Sequence, residues 1–372
     1  EIHERLVGSE MCIRDSDKDG FEQLLTALNS LSNPEDIKIG FESTAHYALN
    51  LELFLENAHH SFMEVNPVLI KEYKKSTTLR RTKTDSVDCE SIARWLITVE
   101  YKPHSKGFYH AYSLKSLTRL RDRLIRQRSF YLVKITNVLD HTFPEFKPFF
   151  NERLSKTALY LLENYGSAEK MARMNSASYD KLRCISRGKF SIQQFLRLKE
   201  LAANTVGVNN SIFDLELNTL LTLYKSLSDE INTLETEIIK LIEEVHPHYM
   251  SIPGIGPISS AVIYAEYGDI SNFSNPGQML AFAGIEPGIN DSGTESHGGR
   301  MVKHGSSQLR YVLLNACLPL IRFDLTFATY YEKKRAEGKK HRVAITHVAK
   351  KLIRVIYALE RQDVDFNAQK LR

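Results

Sequence analysis

The spacing of apolar residues divides the chain into a mixed N-terminal part and a mostly helical remainder. Alternating apolar and polar positions predict short strands, whereas apolar positions three and four apart predict amphipathic helices. In chain order these patterns predict a helix at 21–31, a strand at 37–41, a helix at 45–58, a strand at 61–65 and a helix at 85–99. Strands that alternate with helices in this way favour an α/β unit with parallel strands.

After Pro103 the pattern is almost entirely helical and begins with a long basic segment at 113–141. Apolar residues then recur at alternating intervals of four and three, at Phe213, Leu217, Leu220, Tyr224, Leu227, Ile231, Leu234, Ile238, Leu241 and Val245. An alternation of this length is typical of a coiled-coil seam and predicts self-association or an intramolecular hairpin. The plainer alternative is one amphipathic helix packed on its own domain.

Proline and glycine residues mark the remaining boundaries. His246-Pro247 ends the long helix, and a compact glycine-punctuated unit and a basic helical tail follow. The predicted segments are residues 1–16, an α/β domain at 17–105, a basic-helix and coiled-coil region at 106–250, a mostly helical domain at 251–325 and a tail at 326–372.

Composition excludes several classes of protein. With 372 residues, of which 42% are hydrophobic, the chain can fill real cores, which excludes wholesale disorder. The longest near-continuous apolar run, 311–321, is about half a membrane span, so we expect no membrane partner. The four cysteines are scattered without a CxxC pair, which disfavours a disulfide scaffold or structural zinc and fits a reducing cytoplasm.

Positive charge is concentrated in three clusters, although the net charge is only +4. The first cluster is Lys71, Lys74, Lys75, Arg80, Arg81 and Lys83, the second is Lys115, Arg119, Arg121, Arg123, Arg126, Arg128 and Lys134, and the third is Lys333, Lys334, Arg335, Lys339, Lys340, His341 and Arg342. Such patches suit a polyanion, because neutralised phosphates release counterions. Each patch taken singly also fits a solvated helix face.

Three carboxylates are candidates for a divalent-metal site. Asp85 and Asp88 lie three apart in a predicted helix, and Glu42 ends the first predicted strand. Oxygen-rich clusters of this kind suit Mg²⁺ or Mn²⁺, and two-metal sites use them in phosphoryl transfer. DxxD pairs are also common on solvated helices. The basic residues just before the pair add phosphate-binding charge and are Arg80, Arg81 and Lys83.

Two glycine-rich segments are further candidates. Gly254 and Gly256 resemble the glycines of a helix-hairpin-helix, where backbone N–H groups approach a DNA phosphate, although a tight interhelical turn is an equal alternative. Ser292 lies in the second segment, and Arg300, Lys303 and Arg310 follow it. Such a serine can attack a phosphodiester while the cations stabilise the developing charge, although most loop serines only form turns.

Together these motifs resemble the DEDD-type insertion-sequence transposases, which have a RuvC-like nuclease domain and a separate serine-bearing domain. The resemblance covers residues from about 17 to 355 and rests on Phe41-Glu42-Ser43-Thr44, Asn66-Pro67, Lys83-Thr84-Asp85-Ser86-Val87-Asp88-Cys89 and the glycine-rich blocks between 251 and 310. It implies an α/β plus α architecture: an incomplete RNase H/RuvC-like domain, a long helical coiled-coil linker and a mostly helical transposase domain with a helix-hairpin-helix.

The resemblance also implies roles for particular residues. Glu42, Asp85 and Asp88 would be three of four metal-binding carboxylates, and Ser292 would form a covalent phosphoserine link to DNA. The implied partners are the DNA of the element ends and target, a structured guide RNA, and further copies of the chain in a dimer or tetramer. The residues expected to contact nucleic acid are Arg80, Arg81, Lys83, Arg119, Arg123, Arg126, Gly254, Gly256, Arg300, Lys303 and Arg310.

The N-terminus departs from the family pattern. The family's first carboxylate lies on an opening strand in a sequence resembling GIDVSK, and residues 1–16 do not resemble that strand. We therefore expect residues 1–16 to be foreign and the nuclease to be impaired. Two other functions remain open, a non-catalytic nucleic-acid-binding protein and a RuvC-like junction nuclease that cuts with metal-activated water.

Overall fold

The computed structural model describes residues 17–31, 37–42, 48–77, 84–101, 103, 108–151, 154–292 and 295–371. The chain forms two compact units, Glu1–Phe108 and Tyr109–Arg372. Among the described residues, no single helix is long and apolar enough to span a membrane; one pair of helices, Ser307–Phe323 and Leu325–Ala336, meets that test only jointly, across a 106° bend.

The first unit alternates helices and short strands, as the sequence pattern predicts. Its elements are α1 Lys18–Leu31, β1 Ile39–Glu42, α2 Ala48–Asn57, β2 Phe62–Val65, α3 Pro67–Thr77 and α4 Asp85–Thr98. Helix α3 is not among the predicted elements, because Asn66-Pro67 predicts the end of a strand and also begins this helix. Proline is favoured at the first position of a helix, and the Asn66 side chain accepts a hydrogen bond from the Val68 backbone N–H at 2.9 Å.

β1 and β2 pair in parallel, with Glu42 opposite Val65. Through Phe62 the sheet packs on α1 and α2, and through Val65 it packs on α3 and α4. Both faces are therefore covered by helices, as parallel strands require. The predicted α/β character is confirmed. The RNase H/RuvC-like arrangement is not, because the sheet within the described residues of this unit has two strands.

The second unit is almost entirely helical. Its elements are α5 Phe108–Thr142, α6 Phe146–Phe149, α7 Lys156–Tyr165, α8 Ala168–Ala172, α9 Ser176–Ile185, α10 Ile192–Ala203, α11 Ser211–Val245, α12 Pro257–Tyr267, α13 Pro276–Ala283, β3 Pro287–Ser292, β4 Glu295–Met301, α14 Ser307–Phe323, α15 Leu325–Ala336 and α16 His341–Gln362. The short helices α7 to α10 each begin at a serine or asparagine whose side chain accepts a backbone hydrogen bond, namely Ser155, Ser167, Asn175 and Ser191.

The predicted coiled-coil seam on α11 is used within the chain. Leu114, near the start of α5, shares a core with Ile238 near the end of α11, whereas Leu139, near the end of α5, shares one with Leu217. The two 35-residue helices therefore run antiparallel. Between them, Arg121 Nε donates to Glu235 Oε1 at 2.7 Å. The contacts match the predicted intramolecular hairpin, and self-association through this seam stays a prediction.

The C-terminal helices α12 to α16 share one hydrophobic core. Phe327 of α15 and Val348 and Ile356 of α16 are fully buried together with Leu313 of α14. The predicted boundary between 251–325 and 326–372 therefore falls inside this core. The basic tail packs through an apolar stripe, and its charges lie on the outside.

His248 ties the start of this core to the end of α16. It lies in a 3-10 turn, His248–Ser251, and its two ring nitrogens contact Asp363 Oδ1 at 2.8 Å and Asp365 Oδ1 at 3.0 Å. Hydrogen bonds to Asp365 and then to Asp363 raise the pKa of His248 above its ordinary value of 6.5. Both bonds require the doubly protonated ring.

We expect this contact to make stability depend on pH. Because the folded pKa is raised, the contribution is complete below about pH 6.5 and is lost as pH rises through the folded value. Melting temperatures of the wild type and of His248→Gln, measured from pH 5.5 to 9, should differ at the acidic end and converge at the alkaline end. A constant difference across that range would contradict the expectation.

Candidate active site

The direction of α4 decides where its carboxylates lie. The Tyr101 hydroxyl, beyond the end of α4, donates to the Ser61 carbonyl at 2.9 Å and accepts a hydrogen bond from the Ile39 backbone N–H at 3.3 Å. Both partners lie at the beginnings of their strands, so α4 runs antiparallel to β1. The first turn of α4 therefore lies toward the end of β1, where Glu42 is.

Glu42 also lies on the face of β1 that α4 covers. Alternate residues of a strand share a face, and Gly40, two residues earlier, contacts α4 so closely that an added Cβ would come within 2.5 Å of Leu96 Cδ1. Asp88 lies two helical turns before Leu96, at the same end of the unit as Glu42. The strand face and the direction of α4 thus place Glu42 and Asp88 toward the same end of the unit, and a shared metal site stays a prediction.

Lys74 of α3 already neutralises part of this charge, since its ammonium group pairs with the carboxylate of Asp88. The sequence predicts Lys74 only as a member of a basic cluster. Its pairing with Asp88 depends on helix α3, which the sequence pattern did not predict. Thr84 caps α4, and its side chain accepts a hydrogen bond from the Val87 backbone N–H at 3.4 Å.

Several predicted site residues lie outside this description. Arg80, Arg81 and Lys83 lie outside the described residues, as does segment 1–16. The backbones of Asp85, Ser292 and Arg300 are described, as the first residue of α4, the last of β3 and a residue of β4, but their side chains are not. Within the described part of the chain, no three histidine, cysteine or carboxylate side chains gather into a metal-binding group.

Ser292 lies at the tip of a β-hairpin. The strands β3 and β4 are antiparallel, and Ser292 pairs with Glu295 across a two-residue connection. The sequence predicted a glycine-rich loop here, and this prediction is wrong for the described residues. The β-branched and aromatic residues that signal a strand are almost absent, so closure of the hairpin rather than strand propensity produces the pairing.

The base of this hairpin is held tightly against α13. Gly305 approaches the backbone so closely that a Cβ would lie 2.0 Å from the Phe282 carbonyl oxygen. Arg310 Nη1 donates to the Ala283 carbonyl at 3.2 Å, and Val302 N–H donates to the Glu286 carbonyl at 2.9 Å. Arg310, predicted to contact nucleic acid, therefore satisfies the C-terminal end of α13. Lys303 is exposed.

The turn before α12 differs from the predicted helix-hairpin-helix. A single 3-10 turn, His248–Ser251, precedes it instead of a first helix, because Pro247 and Pro253 interrupt helical hydrogen bonding. Gly254 has φ +94° and packs on Pro319 of α14, which is an internal contact. Gly256 begins α12 without a side-chain cap, and no atom lies within 4 Å of the position of an added Cβ.

We expect the two glycines to respond differently to substitution. Gly254→Ala forces an alanine into positive φ and places its Cβ 2.7 Å from Pro319 Cγ, so it should cost about 1–3 kcal/mol of unfolding free energy. Gly256→Ala, at φ −81°, should leave stability unchanged. Urea unfolding of both variants measures this difference. Equal stability of the two variants would refute it.

The predicted nucleic-acid residues of α5 divide into paired and unpaired cations. Arg119 Nε and Nη2 donate to the two carboxylate oxygens of Glu266 at 3.0 and 3.2 Å, and Glu266 is buried. Arg126 pairs with Asp122 at 2.9 Å. Arg123 is exposed and has no acidic partner within the described residues. Arg119 is therefore chiefly an internal ion-pair partner, and Arg123 is the side chain free to meet a phosphate.

A row of basic residues on α16 was not among the predicted sites. His347, Lys350 and Arg354 recur at intervals of three and four, which places them on one side of the helix. The spacing of three and four is the sequence signal for this row, which alternates along the helix with the apolar stripe.

Comparison with known proteins agrees with these motifs. The DEDD-type transposase model of IS110, described as "Transposase", matches residues 4–144, and a model described as "Transposase IS116/IS110/IS902 family" matches residues 247–332. The first match thus includes most of the segment expected to be foreign, and the second includes the β3–β4 hairpin.

Relatives from insertion elements cover much of the chain. A protein of insertion element IS110 from Streptomyces coelicolor is 27% identical over 63% of this chain and 60% of its own length. A protein of insertion element IS900 from Mycobacterium paratuberculosis is 28% identical over 75% of this chain and 71% of its own. The transposase for insertion sequence element IS1111A from Coxiella burnetii is 25% identical over 69% of this chain and 59% of its own. Because the two family models together match more than half of the chain, and these relatives agree with them, the protein belongs to the IS110 family of insertion-sequence transposases.

Proposed function

We propose that this transposase cuts and rejoins DNA strands with Ser292 as the nucleophile. The observation that carries the proposal is the position of Ser292 at the tip of a hairpin whose base is held by Gly305 and Arg310. A nucleophile must be presented to the phosphodiester at a defined position, and a clamped hairpin does this better than a free loop.

The proposed step is a transesterification. The Ser292 oxygen forms a bond to phosphorus and gives up its proton to a base or water, while the bond from phosphorus to the leaving sugar oxygen breaks. The leaving oxygen takes up a proton and the energy of the phosphodiester is kept in the phosphoserine link. Attack by the oxygen of a second strand reverses these changes and joins the new strands.

The carboxylates of the first unit fit a hard divalent cation. Glu42 and Asp88 lie at one end of the unit, and Asp85 opens the same helix, so the donor set consists of oxygens, as Mg²⁺ or Mn²⁺ prefers. Such an ion, when bound, polarises a phosphodiester. The ammonium of Lys74 competes for Asp88 and supplies part of the same charge compensation when no ion is present.

The unpaired cations of α5 support contact with nucleic acid. Arg123 and Lys134 are exposed, and the Lys134 ammonium lies 5.5 Å from the centre of the exposed Phe130 ring. Exposed cations interleaved with an aromatic ring suit a polynucleotide, whose phosphates bind the cations and whose bases stack. We assign this face to a structured guide RNA, and Gly256, at the uncapped start of α12, to a DNA phosphate.

Oligomers remain part of the proposal. Three of the ten seam residues of α11 are buried within the chain and seven are partly buried, so the partly buried part of the seam is the surface proposed to join subunits.

A search for a covalent adduct tests the proposal. The chain, and a second form in which residues 1–16 are replaced by the N-terminal segment of the Streptomyces coelicolor relative, are incubated with Mg²⁺, the terminal RNA of the element and labelled junction DNA. A denaturing gel should show a protein–DNA adduct, with the nucleotide on the peptide that contains Ser292. Cleavage without an adduct would support a junction nuclease, and binding without cleavage a non-catalytic protein.

A further inference from the structure

The corner between α15 and α16, residues 333–342, carries a dense cluster of positive charge. Residues 333–342 contain six lysines and arginines and one acid, Glu337. The Lys334 ammonium forms an ion pair with the Glu337 carboxylate at 2.9 Å. Arg335 donates to a backbone carbonyl, and the other four corner cations, Lys333, Lys339, Lys340 and Arg342, are exposed and form no ion pair within 4 Å among the described residues. In the α5 cluster, by contrast, three of the arginines are ion-paired.

This corner is a rigid surface rather than a loose tail. Gly338, with φ +78°, makes the turn, and Arg335 Nη1 donates to the Lys339 carbonyl at 2.7 Å. The Lys351 ammonium lies 5.2 Å from the centres of both the Phe327 and Tyr330 rings, which joins α16 to α15. Cations held on a rigid corner lose little conformational entropy when they bind an extended anion.

The charge continues along α16 toward the hairpin that carries Ser292. Burial, and then the positive charge of Lys350, Lys334 and Lys339, lower the pKa of His347. Burial and Arg354 lower the pKa of Lys350, and Glu286 opposes that shift. Ala283 of α13 shares a hydrophobic core with Ile353 of α16, and the base of the hairpin is held against α13, so the row on α16 runs from the corner toward that base.

We propose that the α15–α16 corner and the adjoining face of α16 bind the phosphate backbone of duplex DNA beside the strand that Ser292 attacks. The inference rests on the proposed function, which brings DNA, rather than RNA, to this hairpin. The ten helical steps from Lys340 to Lys350 span about 15 Å, which matches roughly four phosphates of one DNA strand. The contacts are made to phosphates and are independent of base sequence.

The test is the salt dependence of binding to a labelled DNA duplex. In the full chain, Lys333, Lys339, Lys340 and Arg342 are all changed to Gln. Because each phosphate contact adds about 0.9 to the slope of log K against log salt, the slope should fall by about 3 to 4. Affinity in 0.1 M salt should fall by at least about tenfold.

A matched control removes the same charge elsewhere in the second unit, at the exposed residues Lys170, Lys181, Arg183 and Lys189, each changed to Gln. For this control, the slope of log K against log salt should differ from the wild-type slope by no more than about one. Equal losses in both fourfold variants, or an unchanged slope in the corner variant, would overturn the proposal. So would a loss confined to duplex RNA of the same sequence.

Two further measurements keep the result interpretable. If the fourfold variant melts early, the pair Lys339→Gln and Lys340→Gln, at the exposed turn, replaces it, with an expected slope change of about two. Adduct formation is measured separately. Absence of an adduct in the wild type would refute the serine mechanism but leave the slope comparison intact, and an unchanged slope with a normal adduct would refute only the DNA surface.

Discussion

Ser292→Ala is expected to abolish both the protein–DNA adduct and strand exchange, with a loss of at least roughly a thousandfold. The substitution removes the oxygen that would bond to phosphorus and leaves no other atom to replace it. Ser292 is the last residue of β3, and the backbone pairing with Glu295 needs no side chain, so the hairpin should persist.

Binding should separate the catalytic role from a structural one. The serine hydroxyl carries no charge, so the salt dependence of duplex binding should be the same in Ser292→Ala and in the wild type. Ser296→Ala, which removes a hydroxyl from the same hairpin where β4 pairs with Asp291, is the matched control and should retain exchange. Exchange that survives in Ser292→Ala, or is lost equally in Ser296→Ala, would exclude Ser292 as the nucleophile.

Arg119→Met is expected to destabilise the second unit by about 2 kcal/mol. The Glu266 side chain is 2% exposed and Arg119 supplies both of its charged hydrogen bonds, whereas the Arg119 side chain is 50% exposed. Removing the arginine leaves a buried carboxylate without compensation. Because water reaches Arg119, the cost is smaller than the 3–5 kcal/mol of a fully buried pair.

A double-mutant cycle isolates this interaction. Glu266→Gln alone should cost little, since the amide keeps the shape without the charge, and it should restore much of the stability of Arg119→Met. Arg123→Met, one turn further along α5, is the control and should keep the wild-type melting temperature while it weakens nucleic-acid binding. Equal stability of Arg119→Met and Arg123→Met would show that the Arg119–Glu266 pair contributes nothing.

The local sequence predicts much of the first unit because its signals are short-range. The apolar alternation at 37–41 and 61–65 and the cap at Thr84 correspond to β1, β2 and the start of α4. The predicted order of strand, helix, strand and helix was also enough to propose Glu42 and Asp88 as members of one site. The direction of α4 itself could not be derived locally, because it is fixed by hydrogen bonds from Tyr101 to residues 40 and 62 positions away in the chain.

The role of each charged residue was decided by contacts between distant parts of the chain. Arg119 and Glu266 are 147 residues apart, and in the sequence Arg119 looks the same as the unpaired Arg123. The α11 heptads are equally compatible with a partner helix from another copy, and the packing of α5 shows that part of the seam is covered within the same chain.

Family membership, the motifs and the periodicity of the long helices could all be predicted from the sequence, because residue types and their spacing carry this information. The tertiary structure decided which cations are neutralised, which helices share a core and that Ser292 stands on a clamped hairpin. These features depend on desolvation and on distances across the fold, and neither is encoded in any short segment of the chain.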